Sequence, residues 1–220
     1  MEKRKSQQTT LLRFYHKYLC EEDTAQFITE VSARYDVSTL GSLARRGGRL
    51  HRRAAIFAIG FLGDFSLNDV MGAALSDSDR GVRMLADHGI RSLWMRQCGS
   101  PASHALARII RLNSCERFED AEFSSSELIQ SHPDFAEAWN QLSIARHNQA
   151  DWYGSLDDCS VALELNPYHF EAAIGAGSCY LALDSPEDAL ASFQQAIRIH
   201  PGLEAIRVRV KQLQQALEEL

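Results

Sequence analysis

Leu163-Glu164-Leu165-Asn166-Pro167 decides the fold, because it returns as Ile197-Arg198-Ile199-His200-Pro201. Ala162, just ahead of the first copy, returns as Ala196, and with Pro133 the three prolines fall 34 residues apart. Each proline follows an amphipathic stretch that it cannot extend, since its ring removes a donor and clashes with the preceding turn. A fixed period of this length marks a stacked-repeat architecture, in which each unit buries an apolar face that it could not bury alone.

At these residues the chain resembles the tetratricopeptide repeat. The last copy carries Gly177, Tyr180, Ala189, Phe193, Ala196 and Pro201 where that family has those residue types. The middle copy carries Trp139, Leu142, Ala162 and Pro167, with Ser143, Arg146, Ser155 and Cys159 in places usually held by Gly, Tyr, Ala and Phe. The first copy keeps Ala121, Leu128 and Pro133. Three repeats are thus expected within 101–203, at about 102–135, 136–169 and 170–203. Ser185-Pro186-Glu187-Asp188 reads as a cap, a first-turn proline and two acids matched to a helix dipole. A final helix over 204–220, with Ile206, Val210, Leu213 and Leu217 on one stripe, would cover the last unit's apolar face.

Upstream, residues 49–100 resemble the HEAT repeat. Ala54, Ala55, Ala58, Ile59 and Leu62 give one closely packing face, Gly63 an expected left-handed stop, and Asp64 the start of a turn. Asp77-Ser78-Asp79-Arg80-Gly81-Val82-Arg83 then opens a helix carrying Val82, Leu85, Ala86, Ile90, Leu93 and Trp94. Gly60, inside a helix, implies a close approach. Asp79 and Arg83 are spaced to pair locally or across repeats. Together the two resemblances imply an all-α fold, a right-handed α-solenoid of stacked helical hairpins, HEAT-like followed by tetratricopeptide-like. Residues 1–48 form a helical lead-in. There Thr9 or Thr10 would cap a helix bearing Leu11, Leu12, Tyr15, Tyr18 and Leu19. Asp23 would cap one bearing Phe27, Ile28, Val31 and Tyr35, and Ser38 a short one stopped at Gly47-Gly48. Ser100-Pro101 would open the helix from Ala102 to Leu112.

The bulk properties narrow the class. A hydrophobic content of 45% is that of a globular protein. No run of eighteen apolar residues occurs, so no membrane span is expected. Met1 to Gln8 has charge but no apolar core behind it, unlike a secretory signal. Five cysteines without a C-x-x-C point to reduced thiols, a cytoplasmic setting, and no metal or redox pair. Residues 1–100 hold 15 Lys+Arg against 11 Asp+Glu (+4), whereas residues 101–220 hold 8 against 18 (−10). An acidic repeat half disfavours nucleic acid as its partner, because duplex binding is driven by phosphate neutralisation. The dense basic run, Arg45, Arg46, Arg49, Arg52 and Arg53, reads either as an anion contact or as a solvated turn flanking the next helix. No aromatic residue interleaves with it to stack a base.

Motifs for phosphate cradling, metalloproteolysis, nucleophilic acyl transfer or calcium binding are absent from the sequence, so no enzyme activity and no cofactor are expected. What the tetratricopeptide resemblance implies is a concave groove lined by the first helix of each repeat. Leu106, Ile110 and Asn113 would come from the first copy. Glu137, Asn140, Ile144, His147 and Asn148 would come from the second, and Glu171, Ile174, Ser178 and Leu181 from the third. The family's chaperone-tail binders clamp a carboxylate with Lys, Asn and Arg. Here the corresponding places hold Leu106, Ile110, Gln141, Glu137, Glu171 and Gly175, which favours a neutral or basic ligand. The implied function is a non-catalytic adaptor or scaffold that takes a peptide or partner helix, with Trp139 structural and buried between helices. Two alternatives stand beside it: nucleic-acid or phosphate binding through 45–53, and a lyase-type enzyme, because some HEAT-like repeats resemble bilin-attaching lyases. The second would need a reactive cysteine of low pKa. Self-association through an uncovered end is a further partner mode.

Overall fold

The computed structural model describes the backbone of residues 2–219 and the side chains of residues 10–219. The chain is all-α, with no strand among the described residues. It divides into two compact units, Met1–Trp94 and Met95–Leu220.

The second unit shows the period in its backbone. Its hairpins pair α7 (Gly99–Ser114) with α8 (Phe118–Ser131), α9 (Ala136–Asn148) with α10 (Trp152–Leu165), and α11 (Phe170–Ala182) with α12 (Pro186–Ile199). The second helices begin at Phe118, Trp152 and Pro186 and end at Ser131, Leu165 and Ile199, in both cases 34 residues apart. The turn inside each hairpin repeats too. Glu116, Ala150 and Asp184 each take a left-handed backbone, φ 58°, 63° and 56°. The residue after each reaches back to the helix: Arg117 N–H to Leu112 O, Asp151 N–H to Arg146 O, and Ser185 N–H to Tyr180 O, at 2.9, 3.0 and 2.9 Å. This is the six-to-one bond that closes a helix on a left-handed residue, a place usually given to glycine. Between hairpins, Phe135, His169 and Leu203 donate their N–H groups to the carbonyls of His132, Asn166 and His200. Asn166 and His200 also accept, at Oδ1 and Nδ1, the N–H two residues on. Helix α13 (Glu204–Glu218) then starts where a fourth first helix would, 34 residues after α11.

Burial follows the small and aromatic positions of the repeat. Ala121, Leu128, Phe135, Ala138, Leu142 and Ala145 join Leu106 and Ile109 in one core cluster. Ala189, Phe193 and Val210 form another, on which Ile174, Leu181, Ile206 and Leu213 pack. Gly177 is required there, since a Cβ would stand 2.6 Å from the Phe193 ring.

The first unit holds α1 (Glu2–Glu21), α2 (Thr24–Ser32), α3 (Val37–Arg46), α4 (Arg49–Leu62), a short 3-10 turn, α5 (Asn68–Ala74) and α6 (Arg80–Met95). Several local expectations are corrected. Helix α1 runs through positions 9 and 10, so neither threonine starts it, and Leu19 is 56% exposed while Phe14 is buried. Asp23 does cap α2, accepting from Gln26 N–H, but α3 is capped by Asp36 and not Ser38. Gly63 ends α4 in an extended conformation, φ −72°, where a Cβ would meet the Ile59 carbonyl at 2.7 Å, so steric room explains that glycine. Asp64 opens the turn by accepting from Ser66 N–H. Helix α7 begins at Gly99, ahead of the expected Ser100 cap.

An aromatic cluster ties α1 and α2 to α4. Phe57 lies 4.4 Å from Tyr18 and 5.1 Å from Phe27 between ring centroids. Helices α4 and α6 meet at Gly60 and Gly89, where a Cβ on Gly89 would sit 3.0 Å from the Gly60 Cα. Trp94, fully buried, donates its indole N–H to Asn68 Oδ1 at 2.9 Å. The HEAT-like reading of 49–100 remains a resemblance in sequence.

Candidate functional site

The first helices α7, α9 and α11 carry every expected groove residue, and the structure sorts these by depth. Leu106, Glu137 and Asn140 are buried and present nothing to a ligand. Ile110 packs on the core of the first two hairpins, and Ile174 and Leu181 pack on the cluster that includes Val210 of α13. Asn113, His147, Glu171 and Ser178 are half-buried. Ile144, at 36% exposure, and Asn148 stand open at the C-terminal half of α9. Asn148 donates to Ile144 O at 2.8 Å, which turns its amide along the helix. The accessible members of the expected set therefore lie on the C-terminal half of α9 and the flank of α11.

A polar ladder beneath these residues fixes the spacing of the three helices. Asn113 Nδ2 donates to Gln141 O and Oε1, both at 3.0 Å. Gln141 Nε2 and Asn140 Nδ2 donate to Glu137 Oε1 at 2.8 and 3.1 Å. His169 completes the ladder from the start of α11, with Nε2 2.9 Å from Glu137 Oε2 and Nδ1 accepting from Ala172 N–H. Because Nδ1 accepts, the proton sits on Nε2 and is donated to Glu137. Burial works to raise the Glu137 carboxyl, but the bonds from His169, Gln141 and Asn140 outweigh it and hold it below the usual carboxylate range. Gln141 and His169 were not among the expected site residues. The signal was there: polar types at 113, 137, 140 and 141 on helix faces that stacking must cover.

A second cluster joins α8, α9 and α10. Arg146 Nη1 lies 3.0 Å from both Asp158 oxygens, and its Nε 3.1 Å from Glu122 Oε1. Burial acts against the Arg146 charge, yet Glu122, Asp158 and Asp151 together raise its pKa. Nearby, His147 Nδ1 approaches Cys179 Sγ at 3.2 Å, and that thiol donates to Ser155 Oγ at 3.1 Å. Burial pushes the Cys179 thiol up and the Cys159 thiol to about 12, while Cys98 is raised by burial too. These three are the opposite of activated nucleophiles.

Trp139 is half-buried and not enclosed between helices; its indole N–H donates to Pro133 O at 2.9 Å. Trp139→Ala is accordingly expected to destabilise by about 2 kcal/mol, below the range of a fully buried tryptophan. Urea unfolding checks this, and a loss near that of a core aromatic would show that the ring is more enclosed than its exposure implies.

In the first unit the basic run splits. Arg52 makes a two-pronged pair with Asp77, at 2.7 and 2.8 Å, and Arg53 does so with Asp79, at 2.6 and 2.8 Å. The Arg53 bonds, outweighing burial, hold the Asp79 carboxyl down to about 2. Asp79 thus pairs across helices, whereas Arg83 turns to the carbonyls of Asp77 and Ser78. Only Arg45, Arg46 and Arg49 remain exposed and without an ion pair among the described residues.

The hairpins of the second unit recur with the 34-residue spacing of the tetratricopeptide repeat that the sequence resembles. No family model matches the chain, and no curated protein does. Among solved structures it is similar to the TPR2AB domain of yeast Sti1 in complex with pHSP90, with 15% identity, a TM-score of 0.47, and coverage of 96% of this chain and 97% of that one. It is similar also to TTC0263, a thermophilic TPR protein of Thermus thermophilus, with 16% identity, a TM-score of 0.42, and coverage of 94% and 99%. No described helix is long and apolar enough to cross a membrane, and no described group of three or more His, Cys, Asp or Glu is placed to hold a metal ion.

Proposed function

We propose that the chain is a non-catalytic adaptor whose second unit takes a peptide or partner helix along α9 and α11. The observation that carries this is an aliphatic side chain and an amide oxygen, Ile144 and Asn148, standing open above a ladder that locks the helices beneath them. A preorganised wall of this kind offers a small apolar contact and hydrogen-bond acceptors without an ordering penalty. His147, Glu171 and Ser178 flank it, and the expected groove positions contain no Lys or Arg, which suits a neutral or basic segment. Ile144→Arg combined with Asn148→Ala leaves the core untouched and should remove at least one protein that co-purifies with the wild type from its source cell. A photo-crosslinking residue at 148 should capture that same protein. An unchanged set of co-purifying proteins, with no crosslink at 148, would sink the groove.

A further inference from the structure

Outside the groove, the most exposed aromatic side chains are Phe123 on α8, at 65%, and Tyr153 on α10, at 73%. Apart from Arg117, which precedes α8 and pairs with Asp120, the charges on their helices are acidic. Helix α8 carries Glu119, Asp120, Glu122 and Glu127, helix α10 carries Asp157, Asp158 and Glu164, and neither holds a Lys or Arg. Residues four apart on a helix are surface neighbours. Glu119 and Glu127 therefore bracket Phe123 on one stripe, while Asp157 and Glu164 continue the stripe that Tyr153 begins. All four carboxylates are exposed, and they make no ion pair among the described residues. Arg146 fastens the two helices together beside these stripes, holding Glu122, the neighbour of Phe123, and Asp158, the neighbour of Asp157. Arg146 is thereby engaged by those two acids and by Asp151, 3.9 Å away, and makes no ion pair with the four exposed carboxylates.

We propose that the outer faces of α8 and α10 form a docking surface for an arginine-rich polypeptide segment, with guanidinium groups lying on Phe123 and Tyr153 between the flanking carboxylates. A planar guanidinium stacks on an aromatic face while its forked N–H groups reach carboxylates to either side. A lysine ammonium, compact and strongly hydrated, satisfies only the charge. The surface lies on the second helices of the hairpins and not along α9 and α11, so it stands or falls independently of the groove.

The test is fluorescence anisotropy on the full chain at about 0.15 M salt, with a labelled peptide of alternating arginine and serine and its lysine counterpart. The arginine peptide should bind several-fold more tightly. Phe123→Ala with Tyr153→Ala should weaken it about tenfold without changing any charge, and Glu119→Gln with Glu127→Gln should weaken it comparably. Removing two carboxylates elsewhere, by Glu218→Gln with Glu219→Gln, should leave affinity within twofold. Equal binding of both peptides, indifference to the aromatic substitutions, or equal losses from the two carboxylate pairs would reduce the surface to diffuse electrostatics and overturn the proposal. Failure of the arginine peptide to bind would overturn it as well. So would self-association of the chain that the aromatic substitutions abolish, because the occupant would then be a second copy. The variants alter exposed positions, and an unchanged urea midpoint confirms that each is folded.

Discussion

Glu137→Ala is expected to lower the stability of the second unit by about 3–5 kcal/mol, since it strands three buried donors at once. His169 Nε2–H, Asn140 Nδ2 and Gln141 Nε2 all lose their acceptor inside a site that the stacked helices cover. Glu137→Gln should cost less, about 1–2 kcal/mol, because one oxygen remains but its amide hydrogens face donors. The difference between wild type and Glu137→Ala should also depend on pH. The folded carboxyl is held below its ordinary 4.5. Its contribution is therefore complete above that value and disappears as pH falls through the lowered one. Urea midpoints from neutral pH down to the acid limit of folding check both statements. A penalty under about 1 kcal/mol at neutral pH would mean that the ladder contributes geometry and little stability.

Arg146→Met should cost about 1–2 kcal/mol at mildly alkaline pH, because the Asp158 carboxyl, left without its counter-charge, must take up a proton to stay buried. Here the pH dependence has the opposite sign. Burial pushes Asp158 up to about 7, against the charge and hydrogen bonds of Arg146, with Asp157 and Asp151 adding to the rise. A carboxyl whose folded value lies above its unfolded 3.8 contributes most when protonated, below that value. The contribution is lost as pH rises through about 7. The variant should therefore recover much of its deficit on acidification, and Arg146→Met with Asp158→Asn should recover it at all pH values. A deficit that ignores both pH and the second substitution would show that Arg146 acts through packing of its stem and not through its charge.

How far the sequence discloses the molecule can be judged at particular residues. The 34-residue return of Pro133, Pro167 and Pro201 places them at one equivalent point of every hairpin, since proline punctuates by a steric rule that needs no tertiary context. The turn inside each hairpin was invisible. Glu116, Ala150 and Asp184 hold a conformation usually marked by glycine, and nothing in those three residue types announces it. Gly63 misled in the other direction, because a glycine kept for lack of space looks the same in sequence as one kept for a left-handed angle. For the expected groove residues, the resemblance assigned helices but could not assign depth. Glu137 and Asn140 share a stripe with Ile144 and Asn148, and only the stacking of α11 and its His169 against α9 decides which pair is covered. Arg52 and Arg53 were likewise indistinguishable from Arg45, Arg46 and Arg49 until Asp77 and Asp79 were brought opposite them.

The three left-handed residues at the hairpin tips have a consequence for the array as a whole. Each side chain there imposes roughly 1–2 kcal/mol of backbone discomfort that a glycine would relieve, and the discomfort recurs at the same beat in successive hairpins. Stacked units share stability with their neighbours in a nearly linear way. The three hairpins are thus held below the firmness their own architecture permits, by a small tension repeated at each tip.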